Sequence, residues 1–157
     1  MKIRLIVISP TDSSYLREGI SSYIARLKHY VSFEYLELPA VKRSKNYTSI
    51  EIKKREGEEL LKQVDASSIL ILLDEKGKEY TSTDFSKFMQ KQMNSGVKTI
   101  VFLVGGPFGF SENIYKRANN KLALSQMTFS HQMVRLFFVE QLYRAFTIIK
   151  GESYHHE

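Results

Sequence analysis

The chain has no cysteine among its 157 residues, which excludes disulfides, a thiolate nucleophile and every zinc or iron–sulfur site that needs a cysteine ligand. It has no apolar run approaching the roughly 20 residues required to cross a bilayer. The N-terminus enters an alternating strand pattern without a basic segment and a cleavage site, so no secretory leader is expected. Repeats and low-complexity tracts are missing too. The one glycine-rich loop also lacks the marks of a phosphate cradle. No Lys-Ser/Thr pair follows Gly105-Gly106-Pro107-Phe108-Gly109, the spacing is Gly-Gly-x-x-Gly, and Pro107 removes a backbone N–H. These absences leave a soluble, cytoplasmic single domain over 1–157, with no membrane partner. No metal is expected, since the adjacent His155 and His156 point apart in an extended tail.

What is present suffices for a substantial core, because 43% of the residues are hydrophobic and the length is that of one domain. The formal net charge is +6 and the pI about 9.4. That balance suits either a nucleic-acid partner or ordinary surface solubility. Clusters at Lys42-Arg43-Ser44-Lys45 and Lys53-Lys54-Arg55 offer cations that a phosphate backbone can reach.

Apolar patterning yields strands at Lys2 to Ile8, Phe33 to Leu38, Ser68 to Leu73, Lys98 to Val104 and Leu122 to Ser125. Helices are expected from about Ser13 to Tyr30, from a Thr48-Ser49-Ile50-Glu51 capping box to about Val64, and from Ser82 to Asn94. A short helix follows Ser111, and a long one runs from Ser130 or His131 to Lys150. Asp74-Glu75-Lys76-Gly77 reads as a turn. Strands alternating with helices, with strands three and four almost wholly apolar, indicate an α/β fold: a mainly parallel sheet with helices on both faces.

Strand four runs directly into the glycine loop, the place where an open α/β sheet binds its ligand. The loop is either a tight structural turn or a surface for close approach to an adenosine-like molecule. The final helix is apolar nearly all round, from Met133 through Ile149. Such a helix is buried on several sides, either by a second copy of the chain or as the central core helix of a monomer. His131 and Arg135 lie one turn apart on it, as do Glu140 and Arg144. Glu140 and Arg144 suit a structural ion pair, whereas His131 and Arg135 open the helix beside the preceding loop and are candidates for holding a phosphate or an RNA base.

Several segments together resemble one known family. They are Gly105-Gly106-x-x-Gly109, Leu124-Ser125-Gln126-Met127-Thr128-Phe129, His131-Gln132-Met133-Val134-Arg135, Glu140-Gln141-Leu142-Tyr143-Arg144-Ala145-Phe146, and the terminal Tyr154-His155. The chain is similar, essentially end to end, to the ribosomal RNA large-subunit methyltransferase H family of SPOUT-class enzymes. The resemblance implies a homodimer with a C-terminal trefoil knot. It implies methylation by S-adenosylmethionine of N3 of a pseudouridine in 23S ribosomal RNA on the assembled ribosome. Cofactor positions carried over are Leu73, Gly105, Leu124, Ser125, Gln126, Met127, Thr128 and Phe129. Arg135, Arg144, Tyr154 and His155 are the RNA-facing candidates, and His155 or His131 the candidate bases. Ser130 stands where family members often carry proline, and His156-Glu157 where their tails commonly end in a basic residue. The alternative is a basic, RNA-binding or ribosome-associated dimer without catalysis.

Overall fold

Alternate residues of a strand face opposite sides of a sheet, so a strand apolar at every position needs cover on both faces. The computed structural model of the chain describes residues 1–42 and 46–156. Arg43-Ser44-Lys45 of the first basic cluster and the terminal Glu157 lie outside the described residues. In chain order the elements are β1 (Lys2–Ile8), α1 (Ser14–Leu27), β2 (Ser32–Leu38), α2 (Ser49–Leu61), β3 (Ile69–Glu79) and α3 (Ser82–Asn94). They continue with β4 (Thr99–Val104), α4 (Glu112–Arg117), β5 (Asn120–Ala123) and α5 (Met133–Lys150). The strands form one sheet in the order β2-β1-β4-β3-β5, and every pairing is parallel.

The two faces carry separate cores. Ile3, Leu5 and Val7 of β1 and Ile100, Phe102 and Val104 of β4 pack with Leu16, Ile20, Phe85, Met89, Phe138 and Leu142 from α1, α3 and α5. Ile6, Ile8, Val101 and Leu103 pack instead with Leu60 and Ile114 from α2 and α4. Each buried aliphatic or aromatic side chain of this kind stabilises the fold by roughly 1.5–3 kcal/mol relative to exposure.

Local signals are realised where they depend on neighbours in the chain. Thr48 Oγ1 accepts from the Glu51 N–H at 3.2 Å and Glu51 Oε2 accepts from the Thr48 N–H at 2.7 Å, which completes the capping box of α2. Lys53-Lys54-Arg55 sit on that same helix with Glu51, Glu58 and Glu59, so the second basic cluster is not a cationic face.

α1 and α2 end about three residues earlier than expected, at Leu27 and Leu61, and three further boundaries also differ. β3 does not stop at Leu73: after a register shift it rejoins β5 through Lys78 and Glu79. β5 is Asn120–Ala123, because its pairing with Ile71 to Leu73 and then with Lys78 and Glu79 of β3 sets its limits rather than its own apolar run. α5 begins at Met133, preceded by a turn in which Ser130 Oγ accepts from the Met133 N–H at 3.0 Å.

α5 packs against α1 and α3, with the Phe138 ring 4.6 Å from Phe102. One copy of the chain buries or half-buries most of α5 but leaves a gap at Phe137. Phe137 stays 41% exposed, resting on Phe129 with ring centroids 5.1 Å apart. Among the described residues no helix is long and apolar enough to cross a membrane.

Candidate active site

The connection leaving β3 enters α3 on one face of the sheet, and the connection leaving the adjacent β4 enters α4 on the other. Diverging connections open a crevice at the carboxyl ends of the two strands. A cleft of about 610 Å³ lies there, within the size range of small-molecule sites. Its walls are Leu73, Asp74, Glu75 and Lys76 of β3, Val104 through Phe110 at the exit of β4, and Leu122, Leu124, Ser125, Met127, Thr128 and Phe129 around the exit of β5. Tyr115 of α4 and Ser130, His131 and Val134 complete it.

The glycine loop is shaped by close approach. A Cβ on Gly105 would lie 3.1 Å from the Gly109 carbonyl oxygen and 3.3 Å from Phe110, so any side chain there displaces the turn. Gly109 takes φ +77°, a region that costs other residues free energy, and its N–H donates to the Gly106 carbonyl at 3.0 Å. Beneath the loop, the carboxylate of Glu56 (5% exposed) packs against Gly106.

The opposite wall is tied down by side chains. Ser125 Oγ accepts from the Met127 N–H at 3.0 Å, and Thr128 Oγ1 donates to Glu75 Oε2. Gln126 turns away from the cleft lining, its Nε2 donating to Glu79 Oε2 at 3.2 Å. His131 is half-buried; burial, and secondarily the charge of Arg135, lowers its pKa against a small opposing effect of Asp12. The imidazole is thereby kept neutral near pH 7, the form that accepts a proton.

Arg135 departs from its expected role. Its side chain is fully buried rather than turned toward RNA. Nε donates to the His131 carbonyl at 2.9 Å and Nη1 to the Ser9 carbonyl at 3.0 Å and Thr11 Oγ1 at 3.2 Å. Nη2 donates to the Ile8 carbonyl at 2.7 Å and Ser9 Oγ at 3.4 Å. All five guanidinium donors are thus used, and they hold Ser9 at φ +69° where β1 ends. Only the fold brings these carbonyls to the start of α5, so helical spacing carried no sign of them.

At the other end of α5, Arg144 Nη2 and Nε donate to Glu140 Oε1 at 2.5 and 3.1 Å. The guanidinium lies 4.7 Å from the Tyr154 ring centroid, and Nη1 is 3.4 Å from His155 Nδ1. Tyr154 OH donates to Glu140 Oε1 at 3.1 Å; burial first, then its hydrogen bonds, raise the Tyr154 pKa. The tail is therefore folded against α5. Arg144, Tyr154 and His155 do not line the cleft of their own chain.

Leu73, Gly105, Leu124, Ser125, Met127, Thr128, Phe129 and His131 are therefore brought together, and Gln126, Arg135, Arg144, Tyr154 and His155 lie elsewhere. Asp74, Glu75, Phe108 and Tyr115 join the lining without having been singled out from sequence. For the two carboxylates the signal was their position directly after an apolar strand. No cluster of three or more metal-ligating side chains occurs among the described residues.

A wholly parallel α/β sheet with a cleft beyond its strand ends, walled by glycines and mixed apolar and polar side chains instead of a phosphate cradle, is the frame of an α/β ligand-binding protein. The chain belongs to the SPOUT methyltransferase family, since the family model described as "Predicted SPOUT methyltransferase" matches residues 1–155. A relative from Cytophaga hutchinsonii, named ribosomal RNA large subunit methyltransferase H, is 56% identical over 156 residues, covering 99% of this chain and 100% of the relative. Relatives of the same name from Christiangramia forsetii and Parabacteroides distasonis are each 53% identical. The former covers 99% of both chains and the latter 100% of both.

Proposed function

We propose that this chain methylates ribosomal RNA of the large subunit, taking the methyl group from S-adenosylmethionine and placing it on N3 of a pseudouridine in 23S rRNA of the assembled ribosome. The observation that carries the reading is the cleft itself: Gly105, without a side chain, and Leu124, Ser125, Met127, Thr128 and Phe129 line it together, and His131, its pKa lowered by burial, adjoins both. The relatives' name supplies the RNA class.

The lining fits the cofactor. Leu73, Leu124 and Phe129 provide apolar surface for a purine, and the backbone of Gly105 and of Leu124, Ser125, Met127, Thr128 and Phe129 provides donors and acceptors for its polar edge and ribose. When bound, S-adenosylmethionine supplies a methyl already activated on a sulfonium. The protein's main task is alignment, which contributes several kcal/mol. The imide N3–H must also lose its proton. His131, at the cleft and kept neutral by its surroundings, is placed to accept it; His155, beside Arg144 on the tail, is the second candidate.

The working form in this proposal is a homodimer, with the C-terminal segment threaded as the SPOUT trefoil knot. The incompletely covered side of α5, with Phe137 and its neighbour Phe129, supports the dimer. Pairing of two chains would also allow Arg144, Tyr154 and His155 of one copy to serve RNA at the cleft of the other. Work on the ribosome places the enzyme in the cytoplasm, and the net charge of +6 makes ribosome binding fall steeply with salt.

Isothermal titration with S-adenosylmethionine should give heat for the parent protein and none for Gly105→Arg, with circular dichroism checking that the variant is folded. Methyl transfer to intact ribosomes, isolated subunits and naked RNA, followed by mapping of the modified base, tests the substrate. Transfer to none of them would sink the enzyme reading in favour of a non-catalytic RNA-binding dimer.

A further inference from the structure

We propose that Asp74 and Glu75 set the preference of the cleft for a cationic adenosyl ligand, discriminating the sulfonium donor from the neutral thioether left after transfer. The inference rests on the cofactor reading above and names no separate site: both carboxylates are part of the wall of the same cleft.

Three observations carry it. First, the carboxylates are held in place from several sides of the cleft. Asp74 Oδ1 accepts from the Lys76 N–H at 2.8 Å and Oδ2 from Tyr115 OH on α4 at 2.5 Å. Glu75 Oε2 accepts from Thr128 on the facing loop. Both sit in the excursion that β3 makes between Leu73 and Lys78, so the strand irregularity is what brings them to the cleft.

Second, the charge of the lining runs against that of the molecule. The chain is +6, yet with His131 neutral the residues lining the cleft include two carboxylates and a single cation, Lys76. A site for a phosphate-bearing ligand would need the opposite balance. Third, the remaining walls include Leu73, Val104, Phe108, Leu124 and Phe129. Beside these walls Asp74, which is half-buried, is screened less by solvent than the exposed Glu75, so it carries the larger share of the attraction.

The donor and its product differ by one methyl group and one positive charge. In transfer the N3–C bond forms as the S–C bond breaks, sulfur keeps the electron pair and becomes neutral, and the N3 proton leaves to a base or to water. The carboxylates attract the ligand before that step and lose most of their hold after it. They therefore favour loading of the donor and release of the product.

The test is titration of the full-length protein with S-adenosylmethionine and, separately, S-adenosylhomocysteine, for the parent, Asp74→Asn, Glu75→Gln and Lys76→Gln. Gln keeps an acceptor oxygen for Thr128, and Asn keeps one for the Lys76 N–H while its amide N–H can donate to the Tyr115 hydroxyl oxygen, so the clasp persists while the charge goes. Each carboxylate variant is expected to lower the donor-to-product affinity ratio by about three- to tenfold, with product affinity within about twofold of the parent. Lys76→Gln should raise the ratio. An unchanged ratio, or equal weakening of both ligands, overturns the proposal and leaves the carboxylates a purely structural clasp. A parent that binds neither ligand overturns the cofactor reading, and this inference with it.

Discussion

The two ends of α5 each begin from the same pattern, an arginine four residues after a potential partner, and arrive at opposite outcomes. At the first end, Arg135 is sealed between the helix and the end of β1, bonded to three backbone carbonyls and two hydroxyls. At the second, Arg144 is half-buried, with its charge matched by Glu140 and its plane laid over Tyr154. Position against the sheet makes the difference. The first turn of α5 meets a cluster of backbone carbonyls where β1 ends, and only a group with many donors satisfies them. The last turns meet a short tail and solvent, where an ion pair and a ring contact are enough. One arginine organises the floor beside His131, while the other holds a tail.

Replacing Arg135 is the most disruptive test of this contrast. Arg135→Ala strands buried carbonyls and opens a cavity, and should cost about 3–5 kcal/mol in chemical denaturation. Arg135→Lys keeps the charge but not the fork of donors, and should recover less than half of the loss. Equal stability of the parent and Arg135→Ala would remove the contrast between the two ends.

Arg144→Ala should be milder. An i,i+4 pair and a partly exposed ring contact together contribute about 1 kcal/mol or less. The larger effect falls on the tail, where hydrogen exchange and protease cleavage near Tyr154 should rise while the core stays protected. A loss matching that of Arg135→Ala would mean the tail is part of the core.

The smallest expected effect is the pH dependence contributed by His131. Its folded pKa lies below the ordinary histidine value because burial, and then Arg135, disfavour the cation. The unfolded chain therefore binds more protons below about pH 6.5. The resulting stability is present above that pH and is lost as pH falls toward the folded pKa. Melting temperature followed from pH 7.5 to 5.5 should drop less steeply for His131→Gln than for the parent. A steeper drop in the variant would contradict the assigned direction.

The legible parts of the fold are those governed by neighbours in the chain. β1 spans Lys2–Ile8 as its apolar pattern indicates, and the capping box of α2 forms with both of its bonds. The walls of the cleft were legible as well, because strand ends and glycines mark them: Leu73, Gly105 and the residues after β5 converge there. Asp74-Glu75 looked like an ordinary turn, since a turn and a bulged excursion share the same polar composition. Gln126 lay within a cofactor-like run, yet its amide meets Glu79, a contact created only when β3 resumes beside β5.

Residue order alone determined the alternation of strands and helices, the two-sided burial of the sheet and the absence of a phosphate cradle. Each follows from side-chain periodicity or from the chemistry of a few adjacent residues. The tertiary structure alone decided that Arg135 faces inward, that the Asp74 and Glu75 carboxylates line the cleft, and that Tyr154 folds back on Arg144. Those outcomes depend on which carbonyls and hydroxyls lie opposite each side chain across long stretches of chain, and such partners exist only after the parallel strands have set their order.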